Sequence, residues 1–191
     1  IIMAKVYIIW DNSNIHYAGL NQVRPIIEPN AQKELYRTYF AGLLQLVAGN
    51  RQVDDIFFAG SVPPKNDALW NSVREMGIRP SLLPRSADEG EADTTDHVLQ
   101  LALLRLAFDH PVPSTIAILT GDGAGIYDGQ GFLADAKRLH QKGWQFEVFS
   151  WDMVCNNKLR SFAQTSGRYV KLEDYYYNIT FIKHNREPKP F

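Results

Sequence analysis

The chain has 191 residues, enough for one domain of ordinary size, and 45% of them are hydrophobic, enough to fill a sizeable core. A formal net charge of −1 argues against binding nucleic acid through overall positive charge, and a single cysteine, Cys155, excludes an internal disulfide framework or a cysteine-built zinc site. No stretch has the length and apolarity of a membrane span and no signal peptide stands out, so a reducing, cytoplasmic setting is the expectation. Ile1 and Ile2, ahead of Met3, read as additions to the native sequence and are set aside on that expectation.

In chain order, the first apolar run is Lys5–Trp10, a strand that ends on Asp11-Asn12-Ser13-Asn14. Residues 15–30 carry Pro25 and Pro29 and read as a short helical start followed by a loop over the sheet edge. Leu35, Tyr39, Leu43, Leu46 and Val47 share one face of a helix expected over 32–48. A strand near 54–60, a helix near 65–76 and a strand near 80–83 follow, the first two separated by Pro63-Pro64. The helix near 94–108 is apolar nearly all round, which predicts a central position. Beyond Pro111 and Pro113 come a strand near 115–120, a helix near 130–142, a strand near 145–150, a helix near 156–165 and a strand near 168–172. Strands alternating with helices predict βαβ units, hence a parallel α/β sheet. The domain is expected over 3–180, with 181–191 a frayed tail or the start of a linker.

Three acidic blocks carry the chemistry. Asp11 and Asp122 each follow an apolar strand run, and in a parallel sheet such positions lie at one carboxyl edge, where ligand chemistry collects. Asp122 sits in Thr120-Gly121-Asp122-Gly123-Ala124-Gly125, whose glycines let the backbone turn sharply; the spacing is not that of a dinucleotide-binding loop. Between them, Asp88, Glu89, Glu91, Asp93 and Asp96 crowd nine residues without a Lys or Arg, a repulsion most directly relieved by a cation.

Structural readings stand beside each of these. Asn12, Ser13 or Asn14 can make Asx turns or cap the following helix, and Asp93 with Asp96 has the form of a capping box. No spacing among the five histidines suggests zinc, neither Cys155 nor Ser61 has a sequence neighbour that would activate it, and the tryptophans read as core. Tyr175-Tyr176-Tyr177 can stack on bases or pack an edge helix. Residues 1–128 hold 10 Lys/Arg against 15 Asp/Glu, while residues 129–191 hold 10 against 6. An acidic centre beside a basic flank suits a metal site acting on a polyanion, and equally a solvated surface.

The ordered set Ile8–Asn14, Glu91–Asp96 and Leu119–Gly123, with Gly143–Val148 and Tyr169–Leu172 as closing elements, resembles the NYN domain of the PIN-like ribonuclease superfamily. The resemblance spans about residues 5–175. It implies a single Rossmann-like domain, a mainly parallel sheet of five or six strands in the order 3-2-1-4-5, and helices on both faces. It also implies a metal-dependent ribonuclease in which Asp11, Asp93 and Asp122 hold Mg²⁺ or Mn²⁺, and Asp96 supports the metal or orients water. Asn14, Ser61 and Thr120 are candidates to orient water or a phosphate oxygen, and Lys65 and Arg85 to contact phosphate. RNA is the expected partner, and a homodimer is a candidate assembly. The family often has a second acidic residue two positions after the strand-four aspartate, where this chain has Ala124. Either Asp96 or Asp128 fills that place or the metal site is weakened, and the rival reading is a noncatalytic RNA-binding or protein-interaction module on the same fold. A haloacid dehalogenase-type phosphatase is disfavoured because position 13 is Ser where a general-acid Asp is needed.

Overall fold

The computed structural model describes residues 5–61, 71, 74–76, 79–83, 91–122 and 131–191. Six strands form one parallel sheet: β1 (Lys5–Asp11), β3 (Gln52–Ser61), β4 (Arg79–Leu83), β5 (Thr115–Leu119), β6 (Gln145–Ser150) and β7 (Gly167–Lys171), in the order β4-β3-β1-β5-β6-β7. This is the expected α/β class. The strand order departs from 3-2-1-4-5 in detail: a short β2 (Tyr36–Thr38) lies outside the sheet and shifts the numbering, and a sixth strand extends the far edge. Connections diverge to either side of the β1–β5 pair, and this places the crevice of a parallel sheet between the ends of those two strands.

Side-chain alternation explains why the sheet is covered on both faces. Along β1 and β5, Val6, Ile8, Trp10, Ala117 and Leu119 point to one core, and Tyr7, Ile9, Ile116 and Ile118 to the other. The first core is closed by α1 (Asn12–Ala18), a π-helical turn (Gly19–Val23), α2 (Arg24–Ile27), α3 (Phe40–Ala48) and α7 (Tyr176–Ile179). The second is closed by α4 (Glu91–Asp109), α5 (Phe132–Gln141) and α6 (Asn157–Ser166). Each fully buried aliphatic side chain here stabilises the fold by roughly 1.5–3 kcal/mol.

Four expectations change. Helix continues from Asn12 to Ile27 where a loop was expected; Pro25 is tolerated because it falls in the first turn of α2, where a missing N–H costs nothing. The helix expected over 32–48 begins at Phe40, because Tyr36–Thr38 pairs antiparallel with β8 (Thr180–Ile182). Helix α4 is not buried all round: Leu101, Leu104 and Phe108 are exposed while Leu99, Leu103 and Leu106 are buried. The C-terminal segment, expected as a tail or linker, folds back: Arg186 pairs with Glu28 at 3.0 Å, and Lys189 N–H donates to Tyr177 O at 2.7 Å. Tyr176 is buried and donates to Glu28, which settles the tyrosine run on packing. Trp10, Trp144 and Trp151 are core residues, as expected. The helix expected at 65–76 lies largely outside the described residues.

Candidate active site at the carboxyl edge

Strand β1 is paired with β5 up to Trp10 and Leu119, so the residues that follow, Asp11 and Thr120, emerge side by side. Asp11 is 4% exposed and Thr120 1%. Burial of a carboxylate is costly unless it is hydrogen-bonded, and the partners of Asp11 include two neutral donors. Thr120 Oγ1 donates to Oδ2 at 3.0 Å, and the Asn14 backbone N–H donates to Oδ1 at 3.1 Å. The second bond makes Asp11 the N-cap of α1.

Asn14 therefore does not cap the helix with its side chain. Its Oδ1 instead accepts from the Gly121 N–H at 2.7 Å, fixing the turn that carries Asp122. The Asp122 N–H donates to Thr120 Oγ1 at 3.2 Å, so one hydroxyl bridges the backbone of the second aspartate to the carboxylate of the first. Gly121 is needed for close approach: a Cβ there would stand 3.0 Å from Ser150 Oγ and 3.2 Å from Asn14 Oδ1. The Asn156 N–H donates to Gly121 O at 2.9 Å and ties the same turn to the start of α6.

Two polar atoms at this edge, Asn12 Oδ1 and Ser150 Oγ, are buried without a hydrogen-bond partner among the described residues. Such atoms are costly and are found where water or an ion completes the set. Ser150 ends β6 next to Thr120, and sequence reasoning missed it. The usable signal was the one already applied to Asp11 and Asp122, an apolar strand run ending on a polar side chain.

Asp11, Asn14, Thr120 and Asp122 thus meet at one edge. Asp93 and Asp96 fall in the first turns of α4, and Ser61 ends β3; their side chains lie outside the described residues, as do Lys65, Arg85, Ala124 and Asp128 altogether. Among the described residues no group of three or more His, Cys, Asp or Glu is placed to hold a metal ion. The donors that do converge are carboxylate, hydroxyl and amide oxygens, the hard set that suits Mg²⁺ or Mn²⁺ over softer ions.

A parallel sheet with this order and an acidic carboxyl edge defines a PIN-like α/β domain. The family model of the NYN domain matches residues 5–178, and the chain belongs to the NYN domain family. That family is nuclease-related, and PIN-like nucleases commonly use divalent metal ions. No curated protein matches the sequence. Among solved structures, a protein of unknown function from Vibrio parahaemolyticus is similar, with a TM-score of 0.64 at 15% identity; the match covers 91% of this chain and 95% of that one. At that identity the likeness concerns the fold. No helix among the described residues is long and apolar enough to cross a membrane.

Proposed function

We propose that the chain is a metal-dependent ribonuclease whose carboxyl edge cleaves phosphodiester bonds in RNA. The observation that carries this reading is the pair of aspartates on adjoining turns at the β1–β5 crevice, one of them buried and joined to the other's backbone through Thr120. Asp11 and Asp122 would hold Mg²⁺ or Mn²⁺, with Asp93 and Asp96 contributing from the start of α4. The ion supplies charge neutralisation at the phosphoryl group and a water made acidic enough to attack it. The protein's own part is to fix geometry. Thr120 and the Asn14 N–H hold the Asp11 carboxylate, and Asn14 Oδ1 holds the turn of Asp122. Ser150 and Asn12, whose buried side-chain oxygens have no hydrogen-bond partner among the described residues, would orient water at the edge.

The test is cleavage of single-stranded RNA with Mn²⁺ or Mg²⁺ by wild type and by Asp122→Asn, which keeps side-chain shape and removes charge. Loss of cleavage with an unchanged melting curve supports the reading. Wild-type protein that binds RNA and leaves it intact favours the noncatalytic module, the reading to which Ala124 gives support. Because an ion bound only to the folded state stabilises it by mass action, millimolar Mn²⁺ should also raise the melting temperature of wild type more than that of Asp122→Asn.

A further inference from the structure

Five of the ten basic side chains in residues 129–191 pair with a carboxylate within the fold. Arg160 and Lys171 pair with Asp152, Arg168 with Glu147, Arg138 with Asp135, and Arg186 with Glu28. Lys137, Lys142, Lys158, Lys183 and Lys189 do not among the described residues, and of these Lys137 and Lys158 stand together. Both are exposed, neither pairs with a carboxylate among the described residues, and both line a single depression of about 420 Å³ between α5 and α6.

Placement of Lys158 carries a second argument. It lies in the first turn of α6, which contains no acidic residue, so its charge faces the positive end of the helix dipole. Such a cation is unfavourable there by itself and becomes favourable when an anion shares the site. The Asn157 amide and the Ser161 hydroxyl add neutral donors, and Phe162 gives the depression an apolar wall. A volume of this size accommodates a ribose together with its phosphate. The start of α6 adjoins the acidic edge, because its N-cap Asn156 is bonded to Gly121, the residue before Asp122.

We propose that this depression holds the phosphate backbone of RNA, with Lys158 and Lys137 each neutralising one phosphate of the strand as it runs from the Asp11–Asp122 edge along α6. The proposal rests on the ribonuclease reading and names where its substrate lies. Phosphate contacts position a strand without reading its bases, so the depression fixes register and not sequence. Each contact released should lower the dependence of log affinity on log salt by about 0.7 for a single strand.

The experiment measures binding of a fluorescent single-stranded RNA by anisotropy in EDTA, across a salt series, for wild type, Lys137→Glu with Lys158→Glu, and a control reversing two exposed lysines elsewhere, Lys33→Glu with Lys183→Glu. The first pair should weaken binding at least tenfold and reduce the salt slope by about 1.4, with an unchanged melting curve. The control should do much less. Equal affinity and slope in the first pair, or an equal loss in the control, overturns the proposal. If wild type cleaves RNA and Asp122→Asn does not, while the Lys137/Lys158 variant binds normally, the depression is wrong and the ribonuclease reading stands. Lysine-dependent binding without cleavage by wild type keeps the depression and removes the ribonuclease. Absence of RNA binding by wild type removes both.

Discussion

At the amino end of the sheet, Asp54 accepts hydrogen bonds from Lys5 Nζ and Tyr7 Oη, each at 3.0 Å, whereas at the carboxyl end Asp11 accepts from a threonine hydroxyl and a backbone amide. The bonds from Lys5 and then Tyr7 hold the Asp54 carboxyl below its ordinary range, and burial followed by the same Asp54 contact pushes the Tyr7 phenol up to about 12. The amino end is thus closed electrostatically, with a cation supplied by the chain itself. At Asp11, the bonds from Thr120 and the Asn14 backbone come from neutral groups, and an aspartate stands on the neighbouring turn. The difference teaches that carboxylate count alone does not mark a metal site; how each carboxylate is oriented, and by what, separates an ion pair from a candidate ligand.

The largest expected effect separates the two ends by activity. Asp11→Asn retains a side chain that caps helices as well as aspartate does, so α1 should persist while cleavage falls by at least about a hundredfold, since metal-assisted charge stabilisation is worth several kcal/mol. Asp54→Asn should leave the rate unchanged. Comparable losses in single-turnover cleavage from both variants would erase the distinction between the two ends.

A smaller effect concerns pH. His16 lies on α1 as it leaves the carboxyl edge, its Nδ1 2.9 Å from Thr38 Oγ1, and burial, then the nearby Arg37 charge, lowers its pKa from 6.5 to about 4. The folded state therefore holds His16 neutral where the unfolded chain protonates it. The sign follows: this contribution is present above pH 6.5 and is lost as pH falls toward 4, by on the order of 3 kcal/mol at most. Urea melts of wild type should weaken across that window, and those of His16→Gln should change less. An identical pH profile in the two proteins would show that other groups govern acid stability.

The smallest pair of effects compares single hydrogen bonds. Thr120→Val removes the donor to a buried carboxylate and should cost about 1–3 kcal/mol in denaturant unfolding. Lys5→Ala removes one partner of an exposed ion pair and should leave the unfolding midpoint nearly unchanged. A larger loss from Lys5 than from Thr120 would reverse the ranking of the two ends.

Much of this was legible in the sequence because its signals are local. Apolar runs located all six main strands to within about two residues, and polar residues closing those runs located Asp11, Thr120 and Asp122. The small sheet was not legible, since Tyr36–Thr38 becomes a strand through partners about 144 residues later, and its own pattern also fits a helix face. Continuation of helix to Ile27 was hidden by Pro25, which reads as a breaker until the π-helical turn ahead of it places the proline in a first turn. The exposed face of α4 was invisible for a different reason: Leu101 and Leu104 differ from Leu99 and Leu103 in direction, not in chemistry. Asn14 was singled out, but the bond it makes was not readable, because its partner Gly121 lies 107 residues away.

The pairing of β2 with β8 bears on where the cooperative unit ends. Pattern similarity to the NYN domain stops at residue 178, yet the chain goes on to supply β8 and then Arg186, which grips both carboxylate oxygens of Glu28 and the Thr180 carbonyl. Ile182 and Lys183 add backbone bonds to Arg186 and Leu35. A fragment trimmed to the matched span would keep every strand of the large sheet and all of the acidic edge. It would also present Tyr36–Thr38 as an unpaired strand and leave Glu28 without its arginine, conditions that favour association through the open edge. The span that matches the family and the span that packs together therefore end at different residues, and the last stretch of chain acts as a latch on Glu28, just beyond the helical run that begins at Asn12.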